Sequence, residues 1–336
     1  MADDRAAGAA LFLPAARAAL AAFPVRNGRL TPVWLSENAT FKVEDGEGRA
    51  FVLRLHRPGY HTLAELDSER DWTAALHRAG VAVPVGVRAA DGRWYVPVAT
   101  EEDDGPGERL AGLTTWTEGE VLSAVLDREG PASAPARFRA LGAAAAALHA
   151  QAAGWTPPPT FTRHSLDAEG LVGSAPLWGP FWTSPALSVG ERALLRDTRE
   201  RLAAALARLG RGPEIFGLIH ADLHPGNVLI DAHGDLTVID FDDAAFGWRA
   251  FDIAVAVSRH WGEADFPAVH SAFLDGYAAV RPLDPGAAAL TPMFCLIRAL
   301  SVIGWLDQRR ELDPAPYLDG MKARILSACE TFEAPC

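Results

Sequence analysis

Acidic and amide side chains recur at fixed intervals between Ile219 and Asp243, and this run constrains the fold more than any other part of the chain. Asp222 precedes Asn227 by five residues, and Asp240 follows Asn227 by thirteen. Two short apolar segments, separated by a His-Gly turn, lie between Asn227 and Asp240. This pattern predicts a small β-hairpin. We expect the hairpin to fold Asp240 back towards Asn227.

The same run predicts a phosphoryl-transfer site. Such a reaction needs positioning and charge neutralisation more than covalent help, with a carboxylate for the hydroxyl proton and ligands for Mg²⁺. The loop from His220 to Asn227 has the spacing H-x-D-x-x-x-x-N, and Asp240-Phe241-Asp242 stands where kinases carry D-F-G. Asp and Asn oxygens are the hard donors that Mg²⁺ requires. The spacing therefore indicates a kinase-type phosphotransferase with one base and two metal-binding groups.

Composition limits the classes of protein that remain. With 336 residues, 49% of them hydrophobic, the chain is long enough for two globular lobes. A net charge of −12 disfavours nucleic acid as a partner, because phosphate binding needs a basic face. The first residues are charged and Arg17 interrupts the apolar run that follows, so neither a signal peptide nor a membrane span is predicted. We expect a cytoplasmic protein with no nucleic-acid or membrane partner.

The order of elements predicts an α+β protein. Residues 1–114 contain short β-like runs and one main helix, and residues 115–119 form a connector. Residues 120–336 are mostly helical and contain the catalytic loop and the expected acceptor site. The acidic, Gly- and Pro-containing residues 101–108 indicate a loop. The irregular residues 154–186 are long enough to suggest a functional segment.

The motif HADLHPGNVL…IDFDDA resembles the catalytic region of the aminoglycoside phosphotransferase and choline kinase superfamily. The acids Asp242 and Asp243 and the run ENATF are most similar to the branch of the bacterial stress-response kinase and type II homoserine kinases. The resemblance covers roughly residues 28 to 330. It implies a bilobal protein-kinase-like fold, a hinge at 115–119, and ATP and Mg²⁺ as cofactors.

The resemblance also implies roles for residues around the catalytic loop. Asp222 would be the catalytic base, and Asn227 and Asp240 would be the Mg²⁺ ligands. His220 would brace the loop, and Asp252, in the run FDIAVAV, would support it from the following helix.

Six residues of the first lobe would form the nucleotide site by the same resemblance: Ser36, Asn38, Arg54, Glu69, Thr115 and Thr117. Ser36 and Asn38 belong to the phosphate-covering loop, and backbone groups of the two threonines would hold adenine. Arg54 stands where the family has lysine, and Glu69 would be its partner from the helix. Arginine keeps the positive charge, but it differs from lysine in shape, so we expect altered ATP geometry.

Other histidines and the tryptophans are expected to serve packing. His149 ends an Ala-rich helical run, and His224 lies two residues after Asp222. Five tryptophans near the irregular segment and beyond it are expected in the core, although they are also candidates for an acceptor pocket: Trp155, Trp178, Trp182, Trp248 and Trp261.

Three functions remain open at this point. The first is transfer of the γ-phosphate of ATP to a small hydroxylated molecule, such as an amino alcohol, a homoserine-like amino acid or an aminoglycoside. The second is a Ser/Thr protein kinase of the stress-response type, although the residues after Asp240 run quickly into a helix without a recognisable activation segment. The third is a low-turnover nucleotide sensor, suggested by Arg54 and by the absence of glycine between Ser36 and Phe41.

Overall fold

The computed structural model describes residues 2–35, 38–102, 105–309 and 315–334. The chain forms two compact units, each assembled from separate segments. The first unit contains Met1–Gly119, Thr156–Thr162 and Leu229–Asp242, and the second contains Glu120–Trp155, Arg163–Val228 and Asp243–Cys336. The lobe boundaries predicted at residues 114 and 119 stay a prediction. Each compact unit combines separate segments of the chain, so the units cannot be compared directly with lobes divided at single positions.

An antiparallel sheet forms most of the first unit. Its strands are β1 Arg29–Leu35, β2 Ala39–Glu44, β3 Ala50–Leu55, β4 Gly86–Val87, β5 Tyr95–Glu102 and β6 Gly105–Thr115. The order is β1-β2-β3-β6, and β4 and β5 both pair with β6. Alternate residues of β2 and β3 are buried, which is the period-2 pattern of a sheet with one core face.

Three helices complete the first unit: α1 Ala2–Ala10, α2 Leu13–Leu20 and α3 Leu63–Arg78. Small and apolar residues of α2, including Ala16 and Ala19, form one core cluster with Phe41 and Leu53 of the sheet. Burying a side chain such as Phe41 contributes about 1.5–3 kcal/mol. The helix α3 begins with a capping box in which the Thr62 side chain accepts from the backbone of Glu65.

The second unit is mostly helical. Its helices are α4 Leu122–Glu129, α5 Ala134–Gly154, α6 Ala168–Val172, α7 Val189–Leu209, α8 Arg249–Val257, α9 Phe266–Val280, α10 Ala287–Asp307 and α11 Ala315–Thr331. The short strands of the second half of the chain are β7 Glu120–Val121, β8 Ser165–Leu166, β9 Phe216–Ile219, β10 Val228–Ile230, β11 Leu236–Val238 and β12 Ala245–Trp248. β12 lies between β8, which is parallel to it, and β9, which is antiparallel. The predicted α+β class, with a β-rich first part and a mostly helical second part, is confirmed.

The helices of the second unit approach each other closely at glycines. A Cβ atom on Gly142 of α5 would lie 2.0 Å from the carbonyl oxygen of Phe273 in α9, and one on Gly276 would lie 1.9 Å from that of Arg139. Among the described helices, α10 alone has the length and apolar composition to cross a membrane. Within this unit, however, 72% of its apolar window is buried, as expected of a core helix.

Candidate active site

The catalytic loop begins where β9 ends, and its backbone is strained. Ile219 of β9 pairs with Ala245 of β12, which positions the first residue of the loop. Ala221 has a φ of 67°, in the left-handed region. For a residue with a Cβ atom this conformation costs roughly 1–2 kcal/mol, so surrounding contacts must stabilise it.

Asp252 of α8 stabilises this strained backbone. Its Oδ2 accepts a hydrogen bond from the His220 N–H at 2.9 Å, and its Oδ1 accepts one from the Ala221 N–H at 2.7 Å. The Asp252 side chain is fully buried, and a buried carboxylate is stable only when such donors satisfy it. The support that was expected from Asp252 is therefore made through two backbone N–H groups.

A buried chain of side chains continues from Asp252. His149 Nε2 lies 2.9 Å from Asp252 Oδ2, and His149 Nδ1 lies 2.8 Å from the Tyr277 hydroxyl. Because a carboxylate only accepts, His149 donates to Asp252 through Nε2. Burial raises the pKa of Tyr277 to about 12, although Arg281, which donates to its hydroxyl, acts in the opposite direction. His149 is thus more than a packing residue, and Tyr277 had no sequence signal because it lies 128 positions away.

Asp222 is surrounded by donors on both of its oxygens. Asn227 Nδ2 donates to Asp222 Oδ2 at 2.8 Å and to its backbone carbonyl at 3.0 Å. Arg298 Nη2 of α10 donates to Oδ1 at 2.5 Å. Burial by itself raises the pKa of Asp222, but the charge of Arg298, with smaller effects from His224, more than offsets it. The net pKa lies well below the ordinary value of 3.8, so Asp222 is ionised at neutral pH.

Two histidines order the catalytic loop through their Nδ1 atoms. His220 Nδ1 accepts from the Asp222 N–H at 3.3 Å, and His224 Nδ1 accepts from the Gly226 N–H at 2.9 Å. An accepting Nδ1 leaves the proton of a neutral imidazole on Nε2. His224 Nε2 lies 3.3 Å from Asp222 Oδ2, so this histidine both packs the loop and faces the expected base.

The orientation of the Asn227 amide is set by its hydrogen bonds to Asp222. Its Nδ2 atom points at Asp222, and the geometry of a planar amide turns Oδ1 away from that carboxylate. The residue is nearly buried, and the 3₁₀ turn Pro225–Asn227 positions it at the end of the loop. The oxygen that Mg²⁺ prefers is therefore the one that Asp222 does not occupy.

A second cluster of charged residues lies in the first unit. Arg54 Nη1 of β3 donates to Asp240 Oδ1 at 2.8 Å. Asn38 Nδ2 donates to Asp242 Oδ2 at 2.7 Å, and His56 Nδ1 lies 3.5 Å from Asp242 Oδ1. Burial raises the pKa of Asp242, but His56 and Arg54 lower it by more than burial raises it. The net pKa of Asp242 therefore lies well below the ordinary range. Like Ala221, the predicted functional residue Asp240 has a φ in the left-handed region, at 66°.

The expected pairing of Arg54 with Glu69 is wrong in its direct form. Among the described residues the ion-pair partner of Glu69 is Arg70, at 3.4 Å, while the guanidinium of Arg54 reaches Asp240. Glu69 still acts on Arg54 through its charge, since it is one of the groups that raise the Arg54 pKa. Arg54 is thus paired with the first acid of the Asp-Phe-Asp segment rather than with the helix α3.

The other residues predicted to bind the nucleotide differ in which of their polar groups already make hydrogen bonds within the protein. Ser36 lies outside the described residues. Asn38 uses its amide nitrogen on Asp242 and its oxygen on the Arg57 N–H, so a phosphate contact would have to come from its backbone. The Thr115 N–H donates to the Val85 carbonyl at 2.8 Å. In the described part of the chain the Thr117 backbone has no such partner, which leaves it available to adenine.

Comparisons with known proteins agree with this chemistry. A model of the phosphotransferase enzyme family matches residues 30–290. A homoserine kinase from Acidiphilium cryptum is 31% identical over 267 residues, which are 77% of this chain and 74% of that protein. The solved structure of a microcompartment-associated aminopropanol kinase has a TM-score of 0.80 and 33% identity, covering 94% of this chain and 96% of that one. An amicoumacin kinase solved with AMP-PNP and Ca²⁺ has a TM-score of 0.74 at 22% identity, covering 92% and 91% of the two chains.

The chain belongs to the phosphotransferase enzyme family. Its fold is protein-kinase-like, as the sequence motif implied. It is an ATP-dependent enzyme that transfers a phosphoryl group to a hydroxyl of a small molecule, which was the first of the three hypotheses. The comparisons favour this activity over a protein kinase and over a sensor with little turnover.

Proposed function

We propose that the protein uses Mg²⁺ and ATP to phosphorylate a small amino-bearing alcohol, with Asp222 orienting the acceptor hydroxyl. One observation supports this proposal more strongly than any other. Asp222 is held in a strained loop with Asn227 on one oxygen and Arg298 on the other, and among the described residues the Asn227 amide oxygen accepts no hydrogen bond. Asp252, which supports the backbone of the loop, is fully buried, whereas the Asp222 side chain is 18% exposed and can be reached by a ligand.

The relatives support an acceptor of this kind. The matched proteins include an aminopropanol kinase and a homoserine kinase, whose names describe small molecules with one amine and one hydroxyl. Both relatives are at least 31% identical to this chain over most of its length. The amicoumacin kinase, at 22% identity, supports the fold alone. An amino alcohol or a homoserine-like amino acid is therefore favoured over an aminoglycoside.

The low pKa of Asp222 favours a role in orienting the acceptor hydroxyl. The acceptor oxygen forms a bond to the γ-phosphorus, the bond to the bridging oxygen of ADP breaks, and the hydroxyl proton passes to Asp222 and then to solvent. A weakly basic carboxylate accepts this proton only late in the reaction. That order suits phosphoryl transfer through a loose transition state, in which the attacking oxygen needs little activation. Asp222 therefore acts mainly by orienting the hydroxyl through a hydrogen bond.

Asn227 and Asp240 are the proposed ligands of Mg²⁺, which supplies charge neutralisation on the phosphates when it is bound. Asn227 offers Oδ1, and Asp240 offers Oδ2, since its Oδ1 accepts from Arg54. Arg54 adds a second positive charge at Asp240. Nucleotide contacts from Ser36, Asn38, Arg54, Glu69, Thr115 and Thr117, and a cytoplasmic location, stay predictions.

Replacement of Asp222 tests the proposal. Purified protein is incubated with ATP, Mg²⁺ and a panel of amino alcohols and hydroxylated amino acids, and the release of ADP is measured. Loss of a positioned general base costs about 10²–10⁴-fold in rate, so Asp222→Asn should lower kcat by that factor. The control is Asp275→Asn, because Asp275 is an exposed carboxylate that pairs with Arg139. Transfer to protein Ser/Thr but to none of the small molecules, or ATP binding without any turnover, would contradict the proposal.

A further inference from the structure

Arg298 has more hydrogen-bonding capacity than the protein uses. It lies on α10 with its side chain 18% exposed, and no sequence motif marked it. Among the described residues its only hydrogen bond is the one from Nη2 to Asp222 Oδ1. A guanidinium has five N–H donors, so most of them remain for a ligand at Asp222.

The position of Arg298 is fixed by close backbone packing. Its guanidinium lies 5.8 Å from the ring centroid of Trp178, which is itself buried. A Cβ atom on Gly304 of α10 would lie 2.4 Å from the Gly179 carbonyl oxygen and 2.5 Å from that of Trp178. The helix therefore rests directly on the irregular segment, and the arginine is held in place before any ligand arrives. Preorganisation of this kind reduces the cost of binding.

Arg298 and Asn227 mark opposite sides of the base. Asn227 donates to Oδ2, and its own oxygen is the proposed contact with the cation on the phosphates. Arg298 donates to Oδ1 instead. Arg298 therefore places a permanent positive charge beside the Asp222 oxygen that Asn227 does not contact. An acceptor whose only charge is an ammonium would be repelled there.

We propose that Arg298 binds a carboxylate of the acceptor, which makes the acceptor a hydroxylated amino acid rather than the amino alcohol that lacks the carboxylate. The inference rests on the proposed function and narrows its substrate class. Guanidinium and carboxylate form paired, charge-assisted hydrogen bonds, and Arg298 already makes one such contact with Asp222. A zwitterionic acceptor places its carboxylate on Arg298 and its hydroxyl on Asp222.

Matched acceptors isolate this contact. Homoserine and 3-amino-1-propanol differ only by a carboxylate, and so do threonine and 1-amino-2-propanol. The kcat and KM of each are measured with the wild type, Arg298→Gln, Arg298→Lys and the control Arg139→Gln, which removes an arginine from an exposed ion pair. Melting curves establish that each variant is folded.

The wild type should prefer the carboxylated member of at least one pair by about 10–100-fold in kcat/KM, the range of a hydrogen bond to a charged group. Arg298→Gln should abolish this preference, mainly through KM, and Arg298→Lys should retain part of it. Because any effect on Asp222 itself acts on both members of a pair, the ratio reports only the carboxylate. An equal loss on both members, or a wild-type preference for the amino alcohols, overturns the inference while the proposed function stands. No transfer to any of the four acceptors refutes both.

Discussion

At the scale of single residues, the site is organised around carboxylates that are surrounded by positively charged side chains and hydrogen-bond donors. Asp222 is kept ionised by Arg298 and Asp242 by His56 and Arg54, and Asp252 accepts hydrogen bonds from two backbone N–H groups. A motif can identify these acids, since they lie within 31 positions of one another. It cannot identify Arg298, which is 76 positions from Asp222 and lies in an ordinary apolar helix.

The pH dependence of the reaction should depend on Arg298. Asp222 is needed ionised, and Arg298 lowers its pKa in the folded protein, so any acid limb that Asp222 contributes should lie below that of an ordinary carboxylate. Arg298→Gln removes the main charge that lowers this pKa, and the acid limb of the kcat/KM profile should move to higher pH. Profiles of wild type and variant with the same acceptor test this. An unmoved acid limb would show that Arg298 does not set the pKa of Asp222.

The free energy of unfolding should depend on pH in the same direction as the activity. A carboxylate whose pKa is lowered on folding stabilises the protein above its unfolded value, and this contribution is lost as the pH falls towards the folded value. Arg298→Gln therefore reduces the contribution of Asp222 at neutral pH rather than in acid.

At the scale of elements, helix propensity and the spacing of apolar residues predicted a mostly helical second part. Packing decided where the individual helices begin and end. The N-terminal segment forms two helices, α1 and α2, and Pro14 lies in the first turn of α2, where its missing N–H is tolerated. The loop predicted over 101–108 is wrong. β5 runs to Glu102 and β6 starts at Gly105, and Arg109 binds both oxygens of Glu102 at 2.7 Å. This cross-strand ion pair stabilises an acidic, Gly-containing hairpin whose local sequence indicates a loop.

The contact of α5 with α9 should be sensitive to a single methyl group. In Gly142→Ala the new Cβ atom meets the Phe273 carbonyl at 2.0 Å, so the helices must separate. We expect a loss of about 1–3 kcal/mol in the free energy of unfolding, as for other overpacked sites. Gly154→Ala is the matched control in the same helix, because nothing lies within 4 Å of its Cβ position. Urea unfolding that shows equal stability for the two variants would contradict this account of the packing.

At the scale of the whole molecule, the predicted site residues are divided between two compact units. The first contains Arg54 and Asp240, and the second contains Asp222 and Asn227. The predicted lobes and the units differ mainly at residues 229–242, which follow the catalytic loop in sequence but belong to the first unit. Sequence order alone could not assign this hairpin, because membership in a unit depends on tertiary contacts, such as that between the rings of Phe241 and Trp72.

Nucleotide and metal should stabilise the folded protein together. A ligand that binds only the folded state at about 100 times its Kd adds roughly 2.7 kcal/mol, so AMP-PNP with Mg²⁺ should raise the melting temperature. In Asp240→Asn we expect Mg²⁺ to add little beyond the effect of the nucleotide alone. Thermal melts with and without Mg²⁺ measure this difference. An undiminished Mg²⁺ effect in Asp240→Asn would remove Asp240 from the metal site.

The sequence by itself determined the α+β class, the family and the phosphoryl-transfer chemistry. It also identified Asp222, Asn227 and Asp240 as candidate site residues, and their roles stay predictions. These depend on local spacing, since a loop and a hairpin of fixed length carry the acids. The tertiary structure decided the partners of those acids: Arg54 with Asp240 rather than Glu69, the chain from Tyr277 through His149 to Asp252, and Arg298 on Asp222. Such partners come from distant segments. Their positions depend on how helices pack, and a one-dimensional pattern does not encode the close approach of glycine backbones on which that packing depends.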